Sequence, residues 1–150
     1  MRLPWVETIP VMVPATLRAL IEHQLAHCSP EAQTLLEAAS VAGVEFAAAA
    51  VAAGLECTDA EIEAQCATLA HHEQFLQARG RAEWPDGTVT ARFGFRHALY
   101  QDVLYQRIPA GRQTLWHARI GARLEQGFGA QAGDLAAALA LHFLRGRRLP

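Results

Sequence analysis

Phe93-Gly94-Phe95-Arg96-His97-Ala98-Leu99-Tyr100-Gln101-Asp102-Val103-Leu104-Tyr105 changes its hydrophobic period in the middle. From Thr88 to Arg96 the chain alternates. Val89, Ala91, Phe93 and Phe95 fall on one side and Thr90, Arg92, Gly94 and Arg96 on the other, the pattern of a half-buried strand. From His97 onward, Leu99, Val103 and Leu104 recur at helical spacing, which predicts a helix with His97 in its first turn. Unpaired backbone amides and the positive end of the helix dipole favour anions there. The stretch therefore predicts a strand feeding a helix, with a histidine at the joint in position to meet a phosphate.

Upstream, Trp84-Pro85-Asp86-Gly87 supplies turn chemistry, and Phe75, Leu76 and Ala78 begin an earlier strand, so the two strands form a hairpin. Before it, Val11-Met12-Val13 reads as extended, and Pro14 opens a helix whose Leu17, Leu20, Ile21 and Leu25 line one face to about His27. Ser29-Pro30-Glu31 is a helix start in which the serine caps and the acid meets the dipole; Gly43 stops that helix. Phe46 to Ala53 reads as a short helix closed by Gly54, and Thr58 or Asp59 caps another containing Ile62, Cys66 and Leu69. Three of these helices followed by the hairpin give the order of a winged helix. Downstream, helices are expected from His97 to about Arg107, from Pro109 or Ala110 to about Gln126, and from about Gly133 to Arg145, with Tyr100, Tyr105 and Trp116 packing the first against the second.

The expected fold class is mainly α: a winged helix-turn-helix, three helices plus a two-stranded β-hairpin wing, followed by a C-terminal helical segment. Residues 1–13 read as an extended connector, 14–108 as the winged-helix domain, and 109–150 as a helical segment leading toward a helical-repeat region. No repeat of 30 to 40 residues fits more than once.

The 150 residues, 51% apolar, suit one domain with a real core. Pro4, Glu7 and Pro10 interrupt any secretory stretch, and Ala38 to Leu55 is too short and too mild to span a bilayer, so the chain reads as cytoplasmic with no membrane partner. Three irregularly spaced cysteines indicate reduced thiols. Residues 1–75 carry ten acids against two arginines, whereas residues 76–150 carry eleven arginines against five acids. Such asymmetry fits either a nucleic-acid surface or docking onto domains of opposite charge.

A DNA-binding winged helix needs basic residues on the helix before the wing. Here that helix holds Asp59, Glu61, Glu63 and Glu73 with no arginine, the wrong sign for a polyanion. Arg79, Arg81, Arg92 and Arg96 of the wing remain candidates for a nucleic-acid or partner contact. Trp84, beside the tip, either docks on a neighbouring domain or folds back on Arg79 or Arg81. Arg145, Arg147 and Arg148 read first as a solvated helix end and second as a partner contact.

No catalytic set emerges. A chain without lysine has no Gly-x-x-x-x-Gly-Lys-Ser/Thr phosphate loop, and no acidic run suggests a magnesium site. Cys57, Cys66, His71 and His72 lack the paired spacing of zinc ligands. His23 and His27 stand one turn apart and read as a solvated face, while Ser29 and Ser40 have no identifiable base. On residue pattern alone, His97 reads first as a residue that caps backbone groups or fills a polar niche at the strand-to-helix junction.

Three stretches, Val13-Pro14-Ala15-Thr16-Leu17-Arg18-Ala19-Leu20-Ile21-Glu22, Leu36-Glu37-Ala38-Ala39-Ser40-Val41-Ala42-Gly43-Val44-Glu45-Phe46 and Phe95 to Tyr105, together resemble the winged-helix segment of bacterial STAND signal-transduction ATPases. Those proteins often carry nucleotide cyclase, kinase or transcription-regulator domains. The resemblance covers nearly the whole chain. It implies an upstream ATPase core that binds ATP or ADP with Mg, a winged helix folded over that nucleotide at rest, and downstream helical repeats that receive an inducer.

Arg96-His97-Ala98-Leu99 is similar to the Met-His-Asp-Leu signature of the apoptosome and plant-resistance members, whose histidine contacts the β-phosphate of ADP. This implies nucleotide sensing for His97. Arg96 beside it either assists the phosphate or is solvated, and Ala98 stands where the signature has an aspartate, so any role of that carboxylate is absent or moved elsewhere. The resemblance implies a regulatory module, not an enzyme by itself, with no cofactor of its own, that couples nucleotide state to signal transduction or transcription regulation. The alternative is a DNA-binding winged-helix regulator acting through its arginine-rich wing.

Overall fold

A computed structural model describes residues 15–129 together with His142 and Arg145. The readings of residues 1–13, Pro14, Arg147 and Arg148 lie outside the described residues, as does most of the helix expected from Gly133. Among the described residues the protein is mainly helical, with six helices and one small antiparallel sheet.

Helix α1 spans Ala15–Ala26 and α2 spans Pro30–Ala42. The start of α2 follows the local chemistry: Ser29 Oγ accepts from the Ala32 amide at 3.1 Å, Pro30 takes the first helical position, and Glu31 sits in the first turn. Gly43 ends it, donating its N–H to the Ala39 carbonyl.

Strand β1 (Glu45–Ala47) and helix α3 (Ala48–Leu55) correct the single helix expected over 46–53. The strand exists because β3 offers it an edge. Phe46 pairs with Phe93 in antiparallel register and packs against Phe93 and Phe95, with ring centroids 6.2 and 5.9 Å apart. Gly54 does not close α3. It lies inside the helix, where a side chain would press on Ile120, and the left-handed residue that ends α3 is Glu56. Helix α4 (Asp59–His71) is capped by Thr58 in a reciprocal box with Glu61.

Strands β2 (Leu76–Glu83) and β3 (Val89–Phe95) form the hairpin, and the sheet order is β1-β3-β2. The pairing slips between Ala78 and Arg81, where β2 carries an extra residue. Such a bulge sharpens the local twist. Beyond it the expected alternation fails: Val89 is 53% exposed, whereas Thr90, read as outward, is fully buried. Thr90 has a structural task there. Its Oγ1 accepts from the Ala49 amide at 3.0 Å, capping α3, whose own N-cap residue Ala47 supplies no side-chain acceptor.

Helix α5 (Ala98–Arg107) and helix α6 (Ala110–Phe128) complete the described elements. His97 is the N-cap of α5 and not a first-turn residue. Helix α6 buries Trp116 and Ile120 against α3, and α5 packs on α2. Tyr100 packs edge-on against Phe75 at 5.2 Å and Tyr105 against His117. Only Tyr105 thus lies between α5 and α6 as expected; Tyr100 faces the sheet side. No helix among the described residues is long and apolar enough to cross a membrane.

Candidate functional site

The corner between β3 and α5 is built by backbone pairing. The Arg96 amide donates to the Phe75 carbonyl at 2.8 Å, extending the β2/β3 ladder one step beyond Phe95. Phe75 itself closes a tight connection from α4 in which both Glu73 and Phe75 adopt left-handed backbone angles, φ 55° and 66°. Conformations of this kind are unfavourable for non-glycine residues and persist only where surrounding structure enforces them.

At this corner His97 is exposed. Its Nδ1 accepts from the Leu99 amide at 3.1 Å. A neutral ring that accepts at Nδ1 carries its proton on Nε2, so the cap fixes the tautomer that leaves a donor facing away from the helix. The Leu99 and Tyr100 amides are already bonded to His97, which narrows what the helix terminus itself offers an anion. Arg96 lies beside it, also exposed, with its guanidinium 3.9 Å from Glu73 Oε1. A cleft of about 230 Å³ opens next to this corner between Glu73, Phe75, Tyr100 and the paired rings of His23 and His27 on α1. His27 Nδ1–H donates to the His23 carbonyl at 2.9 Å.

The wing arginines are matched within the molecule. Arg79 and Arg92 both reach Glu45 of β1, at 3.7 and 2.9 Å, and Arg81 reaches Glu63 of α4 at 3.7 Å. Glu63 also accepts from the Ala91 amide. Arg107 with Glu37 and Arg119 with Glu56 follow the same rule. The acidic first half and the basic second half of the sequence are thus brought together by the fold.

Trp84 departs from both expectations. It is 5% exposed and turns onto α6, with its ring 5.3 Å from Phe128 and under the Arg123 guanidinium at 4.8 Å. Gly127 permits this approach, since any side chain there would collide with the indole. Arg123 donates to Thr88 Oγ1 at 3.0 Å and lies 3.5 Å from Asp86 Oδ2, and the Asp86 amide donates to the Gly127 carbonyl. Hydrogen bonds from Thr88 and, secondarily, the Arg123 charge hold the Asp86 carboxyl below its usual range.

Cys66 is buried, its thiol pushed up to about 12 by burial and the neighbouring Glu63 charge, whereas Cys57 is exposed. Among the described residues no three histidine, cysteine or acidic side chains gather in a metal-binding group. One cluster went unread in the sequence: Tyr105, His117 and His142 form a hydrogen-bonded chain in the interior. The available signal was His117 on the same helical stripe as Ile120 and Leu124.

In comparisons with family models, curated proteins and solved structures, nothing matches this chain.

Proposed function

We propose that the chain is the winged-helix regulatory module of a STAND-type ATPase, cytoplasmic and non-enzymatic by itself. In this reading it senses ADP or ATP, with Mg, on an adjacent ATPase core and passes that state to downstream helical repeats. In this reading α2 to α4 are the three helices of the winged helix and β2 and β3 its wing, an assignment supported by their order along the chain. The observation that carries the reading is the exposed His97, whose cap to Leu99 directs an Nε2 donor outward beside the Arg96 guanidinium. Both are phosphate donors. The DNA-binding alternative has less support, because Arg79, Arg81 and Arg92 face intramolecular carboxylates and α4 carries no lysine or arginine.

A charge-assisted hydrogen bond contributes about 1.5 to 3 kcal/mol, roughly ten- to 150-fold in affinity. The test is calorimetric ADP binding by the module joined to its ATPase core, native against His97→Ser. Serine keeps an N-cap acceptor and removes the imidazole. Affinity weakened about tenfold or more with an unchanged melting temperature supports nucleotide sensing; unchanged affinity leaves His97 a cap and defeats the proposal.

A further inference from the structure

His23 and His27 lie four residues apart on α1, and both are exposed. That spacing sets two side chains on one helix face, one turn above the other. Their rings meet edge to face with centroids 4.6 Å apart. Two imidazoles that bind one ion side by side, each at a Zn–N distance of about 2.0 to 2.1 Å, have centroids about 4.5 to 5.2 Å apart. The pair stands at that separation.

One of the two rings is also held in a ligating tautomer. A carbonyl only accepts, so in the 2.9 Å bond between His27 Nδ1 and the His23 carbonyl the ring donates. The lone pair of the neutral ring then lies on Nε2. A backbone carbonyl on the other ring nitrogen is the usual support of a metal-ligating histidine, because it orients the ring and raises its basicity. Here the helix turn that joins the two residues supplies that support itself.

The two rings line the cleft of about 230 Å³, where Glu73 and Gln74 offer oxygen atoms and solvent has access. Among the described residues no third histidine, cysteine or acidic side chain completes a group with the pair, so water fills the remaining positions. Cys28 follows directly, but its thiol turns to the Gln24 carbonyl and burial raises it, which keeps it protonated. The donor set is therefore imidazole nitrogen without thiolate.

We propose that His23 and His27 form a two-histidine site for a borderline divalent transition metal, Zn²⁺ or Ni²⁺, that clips one turn of α1 at the cleft beside the β3–α5 corner. The inference is independent of the nucleotide reading. Imidazole suits these ions, whereas Mg²⁺ selects oxygen ligands and near-ideal octahedral geometry. An ion held by both rings binds only the helical form of that turn, so it stabilises α1 by mass action.

Calorimetric titration of the 150-residue chain with Zn²⁺ and with Ni²⁺ tests this. Loss of a mere supporting group costs about 10- to 100-fold in metal affinity, so His23→Ala and His27→Ala should each weaken binding about tenfold or more. Both residues are exposed on a helix, and alanine favours that helix, so the variants fold. His71→Ala with His72→Ala, a change at the other exposed pair of adjacent histidines, leaves the affinity unchanged. Hydrogen exchange gives a second readout: saturating Zn²⁺ raises protection of the α1 peptide in the native chain and in neither single variant, and Mg²⁺ raises it in none. Absence of Zn²⁺ and Ni²⁺ binding by the native chain overturns the site. So does undiminished affinity in either single variant, an equal loss in the His71 and His72 variant, or a match of Mg²⁺ to Zn²⁺.

Discussion

The two ends of the hairpin carry similar residues in opposite surroundings. At the tip, Trp84, Asp86 and Thr88 are folded onto α6, and Arg123 is shared among all three. At the other end, Arg96 and His97 are exposed, and Arg96 meets Glu73 only at 3.9 Å. The difference comes from what backs each end. The tip meets a 19-residue helix with a glycine cut for the indole, whereas the corner borders an open cleft. An aromatic residue beside a turn is thus no guide to a docking surface: Trp84 is buried on α6, whereas the capping His97 is exposed.

The strongest way to break this comparison is Trp84→Ala. Removing a buried indole forfeits its transfer energy and leaves a cavity against Phe128 and Arg123, with an expected loss of about 3 to 5 kcal/mol in urea unfolding. If the loss is below about 1 kcal/mol, the tip is not anchored on α6 and the contrast between the two ends fails.

Between the ends lies Thr90, whose hydroxyl caps α3 from across the sheet. Thr90→Val keeps shape and removes the acceptor, leaving the buried Ala49 amide without its partner. An expected cost of about 1 to 2 kcal/mol follows, read from thermal or urea unfolding, with Thr90→Ser recovering most of it. Equal stability of the valine and serine variants would show that the hydroxyl contributes nothing as a cap.

Local signals made much of this fold legible. Ser29-Pro30-Glu31 and the Thr58-Asp59 pair announced their helices because capping is decided within four residues, although only the structure shows that Thr58 is the cap. The change of period at His97 located the corner to within one residue for the same reason. Strand β1 was hidden because Glu45-Phe46-Ala47 forms a strand only when β3 lies beside it, 47 positions away at the Phe46 and Phe93 pair. Trp84 was misread because its partners Arg123 and Phe128 lie far along the chain, and Thr90 because the helix that covers it, α3, meets it through Ala49, 41 positions away. The buried histidine pair required knowing that residues 25 apart meet. Charge asymmetry was visible, but its resolution into Arg79 and Arg92 on Glu45 depends on the sheet order.

The finest distinction concerns the two ion pairs that close the ends. Glu73→Gln removes one charge of an exposed pair whose Glu73 side chain is 75% accessible, and solvent screens such a pair almost completely. Stability in urea should change by no more than about 0.5 kcal/mol, and by still less at high salt. Asp86→Asn makes the formally equivalent change at the tip and preserves the acceptor for the Thr88 amide. There the partner, Arg123 Nη1, is buried and makes no hydrogen bond among the described residues, so it depends on the Asp86 charge. The asparagine variant should therefore lose measurably more than the glutamine variant in the same unfolding experiment, because a buried cation left alone costs more than a solvated one. Equal effects would mean that Arg123 is hydrated, and the tip would then be as open to solvent as the corner.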